Sequence, residues 1–290
     1  MGLVTGAGKT GTKAVVALVR TRDRSTGVKR AIDLAGVTPV AGKGVLLKPN
    51  FNSADPFPAS THNDTLTHLI RCLQSMGAKS ITVGERSGPR DTGDVLEEKG
   101  IPALCRGLGV GLVNFDDLPA SGWVRVRPGK SHWLNGFDVA RPLLDAECVV
   151  TTCCLKTHGF GGVFTMSLKL SVGVTSKRNM AELHVSLRSM RRMVAEINLA
   201  YQPSLVLLDG IDAFVDGGPA HGTPKSPGVL LAGADRVAID AVGLAVLKEQ
   251  GSNRDIMGRR IFEQEQIEIV ADDEAGREYA GKLMQILSRG

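Results

Sequence analysis

The sequence predicts an α/β fold in which a mostly parallel sheet is flanked by helices. Short apolar runs typical of buried strands recur along the 290 residues, and helical apolar patterns separate several of them. Strand, helix and strand follow in that order from Val45 to Val83. This βαβ order implies parallel pairing with a right-handed crossover. We expect ligands to bind in a cleft at the carboxyl ends of the strands.

The individual elements follow from the same patterns. Strands are predicted at residues 15–19, 45–47, 81–83, 110–113, 148–150, 205–208 and 229–231. A helix is predicted after Thr61, since apolar residues recur at three- and four-residue steps up to Met76 and Gly77 follows. Further helices are predicted at 180–199 and 237–247, and an antiparallel hairpin at 123–139.

The chain length bounds the domain organisation. A chain of 290 residues can bury one sizeable core. We therefore expect residues 15–290 to form one α/β unit and residues 1–14 to form an N-terminal extension. A division of the unit into two lobes near residue 145 is the alternative.

Composition excludes several classes of protein. The 35 Lys and Arg are interleaved with 30 acids, and aromatic residues make up 4%, so we expect no nucleic-acid partner. No apolar run approaches the roughly 20 residues that span a bilayer. The first residues lack a secretory signal, and five cysteines without regular spacing suit a reducing compartment. We expect a cytoplasmic protein with no membrane partner.

Charged and polar residues follow four of the predicted strands. Lys48 and Asn50 follow the second strand, Arg86 the third and Lys156 the fifth. We predict that they bind the carboxylate or phosphate of a small anionic molecule in one shared pocket. His158 is predicted as an acid–base group or metal ligand. Asp209, after the sixth strand, is predicted either to bind a metal with His158 or to orient a histidine.

The sequence resembles the family of domains of unknown function numbered 362, some members of which are fused to iron–sulfur modules. The shared motifs span residues 15–271: LLKPN at 46–50, GERSG at 84–88, CLKTH at 154–158, SLK at 167–169, His184, DGIDA at 209–213, GP at 218–219 and ADRVAID at 234–240. The family is defined by sequence, so the resemblance implies an iron–sulfur association and a redox protein partner but no reaction. Two features depart from the family: Leu170 replaces its usual Asn, and no ferredoxin-like cysteine module is present.

A more distant similarity is to the lactate racemase family. The order of His158, Lys169 and His184 is similar to the histidine, lysine and histidine of those nickel-pincer enzymes. The resemblance implies that Lys169 anchors the cofactor, that one histidine binds nickel and that the other exchanges a proton with a hydroxy acid. It makes all three residues candidate catalytic groups.

The sequence thus favours an enzyme that binds a small anionic substrate and uses Lys and His chemistry. Its candidate forms are a metal-dependent isomerase, similar to a racemase, and an oxidoreductase. The cofactor candidates are a metal ion and a nickel-pincer-like group, and homo-oligomerisation is a further expectation. The alternative is a non-catalytic accessory or cofactor-binding protein for redox or iron–sulfur systems.

Overall fold

The computed structural model describes residues 2–7, 13–37, 39–129, 131–186 and 188–271. Its strands are β1 Gly2–Ala7, β2 Lys13–Arg20, β3 Gly44–Lys48, β4 Ser80–Glu85, β5 Gly111–Asn114, β6 Trp123–Val126, β7 Phe137–Ala140, β8 Cys148–His158, β9 Val163–Thr165, β10 Leu205–Gly217, β11 Gly222–Lys225 and β12 Val229–Gly233. Its α-helices are α1 Arg24–Ala35, α2 Asn63–Ser75, α3 Thr92–Glu98, α4 Ile101–Leu108, α5 Arg141–Leu144, α6 Ser167–Leu170, α7 Met180–Val185, α8 Met190–Ile197, α9 Arg236–Glu249, α10 Arg254–Met257 and α11 Glu265–Ala271.

One mixed sheet organises the described part of the chain. Its order is β1-β2-β12-β10-β8-β3-β4-β5, with β9 paired to β8 and β11 paired to β10. Every neighbouring pair from β10 to β5 is parallel. At the other end, β12, β2 and β1 pair antiparallel. The α/β prediction is confirmed, as is the parallel βαβ unit from β3 through α2 to β4.

Each of the seven predicted strands is present, but two are much longer than their apolar runs. β8 continues to His158 because β9 pairs with it at Lys156, Thr157 and His158. β10 continues to Gly217 because β11 pairs with its last residues. Lys156 and His158 therefore lie on the last part of a hydrogen-bonded strand, whereas the sequence predicted only that they follow the strand.

The predicted hairpin is confirmed by β6 and β7, which pair antiparallel with Val126 opposite Phe137. The predicted helix at 180–199 is wrong in its continuity, since α7 and α8 are separate. The N–H groups of Ser189 and Met190 both donate to Ser186 O at 2.8 Å, which makes a turn between the two helices. Serine competes with the helical pattern through such local bonds and favours helix ends.

Helices cover both faces of the sheet. Along β10, Leu205 and Leu207 pack in the core cluster that contains residues of α1 and α2. Val206 and Leu208 pack in the cluster that contains α9. This alternation follows from the two-residue period of a strand, and it leaves β10 buried on both sides.

The predicted N-terminal extension includes β1, which pairs with β2. Residues 1 and 8–12 of the extension lie outside the described residues. The division near residue 145 stays a prediction. No helix in the described ranges is both long enough and apolar enough to cross a membrane.

Candidate functional site

A narrow cavity lies at the carboxyl ends of β3, β4 and β8. Its volume is about 60 Å³, which is room for a few water molecules or one small anion. We call it the inner cavity. It is lined by Lys48, Asn50, Asn52, Glu85, Arg86, Lys156, His158, Thr165, Lys169, Leu170, Val172, Gly173 and Pro219. The fold thus brings six predicted site residues together, and their convergence follows from parallel strands that end on one edge.

Lys48 and Glu85 form a buried ion pair between β3 and β4. Each side chain is 1% exposed. Lys48 Nζ donates to Glu85 Oε1 and, at 2.7 Å, to Pro49 O. Glu85 also accepts the N–H groups of Phe51 at 2.8 Å and Arg86 at 2.9 Å. Burial lowers the pKa of Lys48 and raises the pKa of Glu85. The carboxylate is therefore fully engaged within the protein.

The Arg86 guanidinium is bound by backbone carbonyl groups. It donates to Thr175 O and Ser87 O, both at 2.9 Å, and to Val172 O. Burial lowers its pKa. Among the described residues no carboxylate forms an ion pair with Arg86, so its charge is left without a directly bonded counter-charge.

Lys156 is a second buried cation that carbonyl groups hold in place. Its Nζ donates to Ala59 O and, at 3.3 Å, to Pro219 O. Asn50 donates to the same Ala59 O at 3.4 Å. Burial lowers the pKa of Lys156. The described residues offer this ammonium group no ion-pair partner.

Thr165 is a cavity residue that the sequence did not indicate. It lies opposite Lys156 in the β8–β9 ladder, so both side chains point to the same face. Its Oγ1 is buried and has no hydrogen-bond partner among the described residues. A threonine in a strand is ordinary in a sequence, and only the structure shows an unsatisfied hydroxyl against a cavity.

His158 is held as a neutral imidazole. Its Nδ1 accepts the N–H of Phe160 at 3.2 Å, which assigns the ring proton to Nε2. Burial, followed by the charges of Lys169, Lys156 and His184, lowers its pKa to about 2. At neutral pH the ring is a hydrogen-bond donor at Nε2, and imidazolium is disfavoured.

Lys169 is the cavity cation without a hydrogen bond among the described residues. Burial, followed by the charges of Lys156 and Arg86, lowers its pKa to about 8. The Lys169 and His158 side chains both lie against Gly162. A Cβ on Gly162 would come within 2.8 Å of Lys169 Cε and 2.9 Å of His158 Nδ1. Only glycine leaves both side chains this space.

Asp240 holds the short helix α6 that carries Lys169. The fully buried carboxyl group accepts the N–H of Ser167 at 2.7 Å and of Leu168 at 2.9 Å. These are N–H groups that a helix cannot satisfy internally. Burial raises the pKa of Asp240 to about 7.

Asn198 and Arg236 support α6 from the other side. Asn198 Nδ2 donates to Leu168 O at 3.0 Å and to Ser171 Oγ at 3.1 Å. Arg236 in turn donates to Asn198 Oδ1 at 2.6 Å. Neither Arg236 nor Asp240 is among the site residues predicted from the sequence. The available signal was two charged residues one turn apart at the start of an otherwise apolar helix.

His184 and Asp209 do not line the inner cavity. His184 is exposed on α7, where Nδ1 lies 2.6 Å from Met180 O. The Asp209 carboxylate accepts from Arg24 Nε at 2.8 Å and from the Thr65 hydroxyl. Asp209 pairs with Cys154, four positions before His158 on β8, so the fold does not bring the predicted metal pair together.

The described residues also contain no group of three or more His, Cys, Asp or Glu side chains that could hold a metal ion. The groups that fit a cofactor are Lys169, an amine with no bonded partner, and the neutral His158 beside it. Both are residues of the arrangement that the racemase resemblance implies, and both line the inner cavity. His184 lies outside the cavity and does not complete it.

A wider cleft of about 660 Å³ adjoins the inner cavity at His158, which lines both. We call it the outer cleft. Its basic side chains, Arg191, Arg254 and Arg259, are balanced by its acidic side chains, Asp216, Asp255 and Glu265. Arg191 and Glu265 form an ion pair with a separation of 2.5 Å. Of these two adjoining spaces, only the inner cavity therefore has an excess of positive charge.

The chain is similar to a known protein, to a solved structure and to a family model. A thylakoid-associated protein of Synechocystis sp. (strain ATCC 27184 / PCC 6803 / Kazusa) is 26% identical over 251 residues, which are 80% of this chain and 74% of that protein. The structure of the lactate racemase apoprotein from Thermoanaerobacterium thermosaccharolyticum aligns with 73% of this chain at a TM-score of 0.47 and 14% identity. The chain spans 56% of that structure. Residues 45–245 match the family model described as Domain of unknown function (DUF362), so the chain belongs to this family.

Proposed function

We propose that this protein is an enzyme that binds a small anionic substrate, a carboxylate or a phosphate, in the inner cavity. The observation that carries the proposal is the charge of the lining. The lining contains one carboxylate, that of Glu85, and four basic side chains, those of Lys48, Arg86, Lys156 and Lys169. The hydrogen bonds of Glu85 are all made within the protein. A buried excess of cations is costly unless an anion offsets it.

The Thr165 hydroxyl supports the same proposal independently of charge. A buried polar atom without a partner is uncommon in native proteins and calls for an explanation. A ligand oxygen in the inner cavity would supply the missing hydrogen bond of Thr165 and would lie near Lys156. The narrow volume favours a small ligand over a nucleotide.

The proposed chemistry assigns different tasks to the two groups beside Gly162. Lys169, with a pKa near 8, exchanges a proton with the substrate close to neutral pH. His158 stays neutral and donates from Nε2 to a substrate oxygen. Lys156 and Arg86 hold the anionic group. The racemase-like, metal-dependent form of this proposal adds a lysine-linked cofactor, which Lys169 and His158 would hold and which would supply the metal chemistry.

The test is a calorimetric titration of the full chain with inorganic phosphate and with lactate. We expect one of the two to bind, and T165V to weaken binding about tenfold, the value of one hydrogen bond to a charged ligand. The matched control is T152V. Thr152 is also a buried hydroxyl without a partner, but it does not line the cavity.

Both valine variants should be at least as stable as the wild type, because each removes an unsatisfied buried hydroxyl. Absence of binding by both anions, or equal binding by T165V and T152V, would refute the proposed site. Binding without turnover of any small hydroxy or oxo acid would favour the alternative, a non-catalytic accessory protein. A native mass spectrum that places an adduct on Lys169 would support the cofactor-dependent form.

A further inference from the structure

We propose that Lys169 is a nucleophile that forms an imine with a small 2-oxo acid, whose carboxylate is held by Lys156 and Arg86. The inference rests on the proposed function, because the imine forms only if the anion enters the inner cavity. It narrows the substrate class from small anions to carboxylates with a neighbouring carbonyl group. It also gives Lys169 a direct covalent role, with no cofactor on its amine.

The hydrogen bonds of the three lysines that line the inner cavity distinguish Lys169 from the other two. Lys48 donates to Glu85 and Pro49 O, and Lys156 donates to Ala59 O and Pro219 O. Such bonds use the N–H groups of Lys48 and Lys156 and hold their nitrogen atoms against protein oxygens. Lys169 Nζ makes no such bond among the described residues, so its amine is free to meet a ligand.

The surroundings of Lys169 favour the neutral amine, which is the form that attacks a carbonyl carbon. Burial is the main cause that lowers the pKa of Lys169, and the positive charges of Lys156 and Arg86 lower it further. A lysine becomes a good nucleophile when it is desolvated or lies near another cation. The same two cations attract the carboxylate, which places the adjacent carbonyl group next to the amine.

The step balances without a further reactant. Lys169 Nζ attacks the carbonyl carbon to form a carbon–nitrogen bond, and a proton passes from nitrogen to the former carbonyl oxygen. The second proton of the original amine also passes to this oxygen, which leaves as water while the nitrogen lone pair forms the second carbon–nitrogen bond of a neutral imine. The neutral His158, which carries its proton on Nε2 and lines the same cavity as Lys169, supplies a hydrogen-bond donor for the developing oxyanion.

The experiment traps the imine. The full chain is incubated with pyruvate and sodium borohydride, which adds hydride to the imine carbon while water protonates the nitrogen. The resulting secondary amine increases the mass by that of the acid less one oxygen atom. Peptide mass mapping should show at least about tenfold more adduct on Lys169 than on the exposed Lys79, because more of the Lys169 amine is neutral.

Two variants and a competitor sharpen the result. K169R keeps the positive charge but has no amine that forms an imine, so it should lose the adduct. K79R is the matched control and should keep the Lys169 adduct. Phosphate in excess should suppress the wild-type adduct, which tests the site without any substitution.

The outcomes separate the two proposals. If pyruvate binds in the calorimeter but Lys169 is modified no more than Lys79, the imine is refuted and the anion site stands. If pyruvate, phosphate and lactate all fail to bind, the proposed function fails and the imine with it. A Lys169 adduct that phosphate does not suppress would also overturn the inference, since the reaction would then not require the cavity.

Discussion

The basic side chains of the inner cavity differ mainly in whether their nitrogen atoms are hydrogen-bonded to the protein. Protein oxygens accept hydrogen bonds from Lys48, Arg86 and Lys156, whereas Lys169 makes no hydrogen bond among the described residues. The pKa of Lys169 is about 8, which brings its proton exchange close to neutral pH. Its reactivity therefore depends on its neighbours more than on the lysine itself.

We expect K156Q to raise the pKa of Lys169 towards the ordinary lysine value of about 10.4, since a repelling charge is removed. The measurement is competitive acetylation with peptide mapping across a pH series. The labelling of Lys169 should inflect near pH 8 in the wild type and at higher pH in K156Q. K79Q, at an exposed site, serves as control, and identical inflections in all three proteins would contradict the electrostatic cause.

Sequence patterns could indicate some of these residues, but not their protonation or their hydrogen bonding. Lys48, Lys156 and His158 follow apolar runs, so their placement at strand ends was predictable. The missing partner of Thr165 and the neutral state of His158 depend on burial and on charges from other segments. No local pattern encodes those distances.

At the scale of elements, α6 is too short to be stable by itself. A helix of four residues makes very few internal hydrogen bonds, so contacts from elsewhere must hold it. Asp240 satisfies its first N–H groups, and Asn198 binds Leu168 O. The position of Lys169 is thus set by α9 and by the residue that follows α8.

We expect D240N to alter the labelling of Lys169 and to weaken anion binding, because an amide can accept only one of the two N–H bonds well. The control is D235A, which removes the N-terminal cap of α9, where Asp235 accepts the Ala238 N–H at 3.0 Å. Loss of such a cap costs about 1 kcal/mol. Both variants should lose stability, but only D240N should change the pH profile of Lys169. Equal profiles would reduce Asp240 to a structural residue.

At the scale of the whole molecule, the parallel sheet brings distant segments to one edge. Lys48 and Glu85, 37 residues apart, form their ion pair because β3 and β4 are neighbours. Lys156 joins them because β8 pairs with β3 on the other side. The stability of the chain therefore includes the cost of burying these charges, and it depends on pH.

Asp240 gives the clearest pH dependence of stability. Burial raises its pKa to about 7, whereas in the unfolded chain it is about 3.9. The folded state binds the proton more tightly, so this contribution to the free energy of unfolding is complete below pH 4 and is lost as the pH rises through about 7. The stability of the wild type relative to D240N should be greatest near pH 4. Urea unfolding of both proteins across this range is the measurement, and a flat difference would refute the raised pKa.

The sequence by itself determined the α/β class, the βαβ unit, the seven apolar strands and the placement of basic residues at the strand ends. Those features follow from local periodicity, which a chain carries without reference to distant segments. The tertiary structure alone decided that Asp209 and His184 stay outside the inner cavity, that Thr165 enters it and that α6 depends on Asp240. These outcomes depend on register and burial, because pKa values and unsatisfied groups arise only when strands from different parts of the chain pack together.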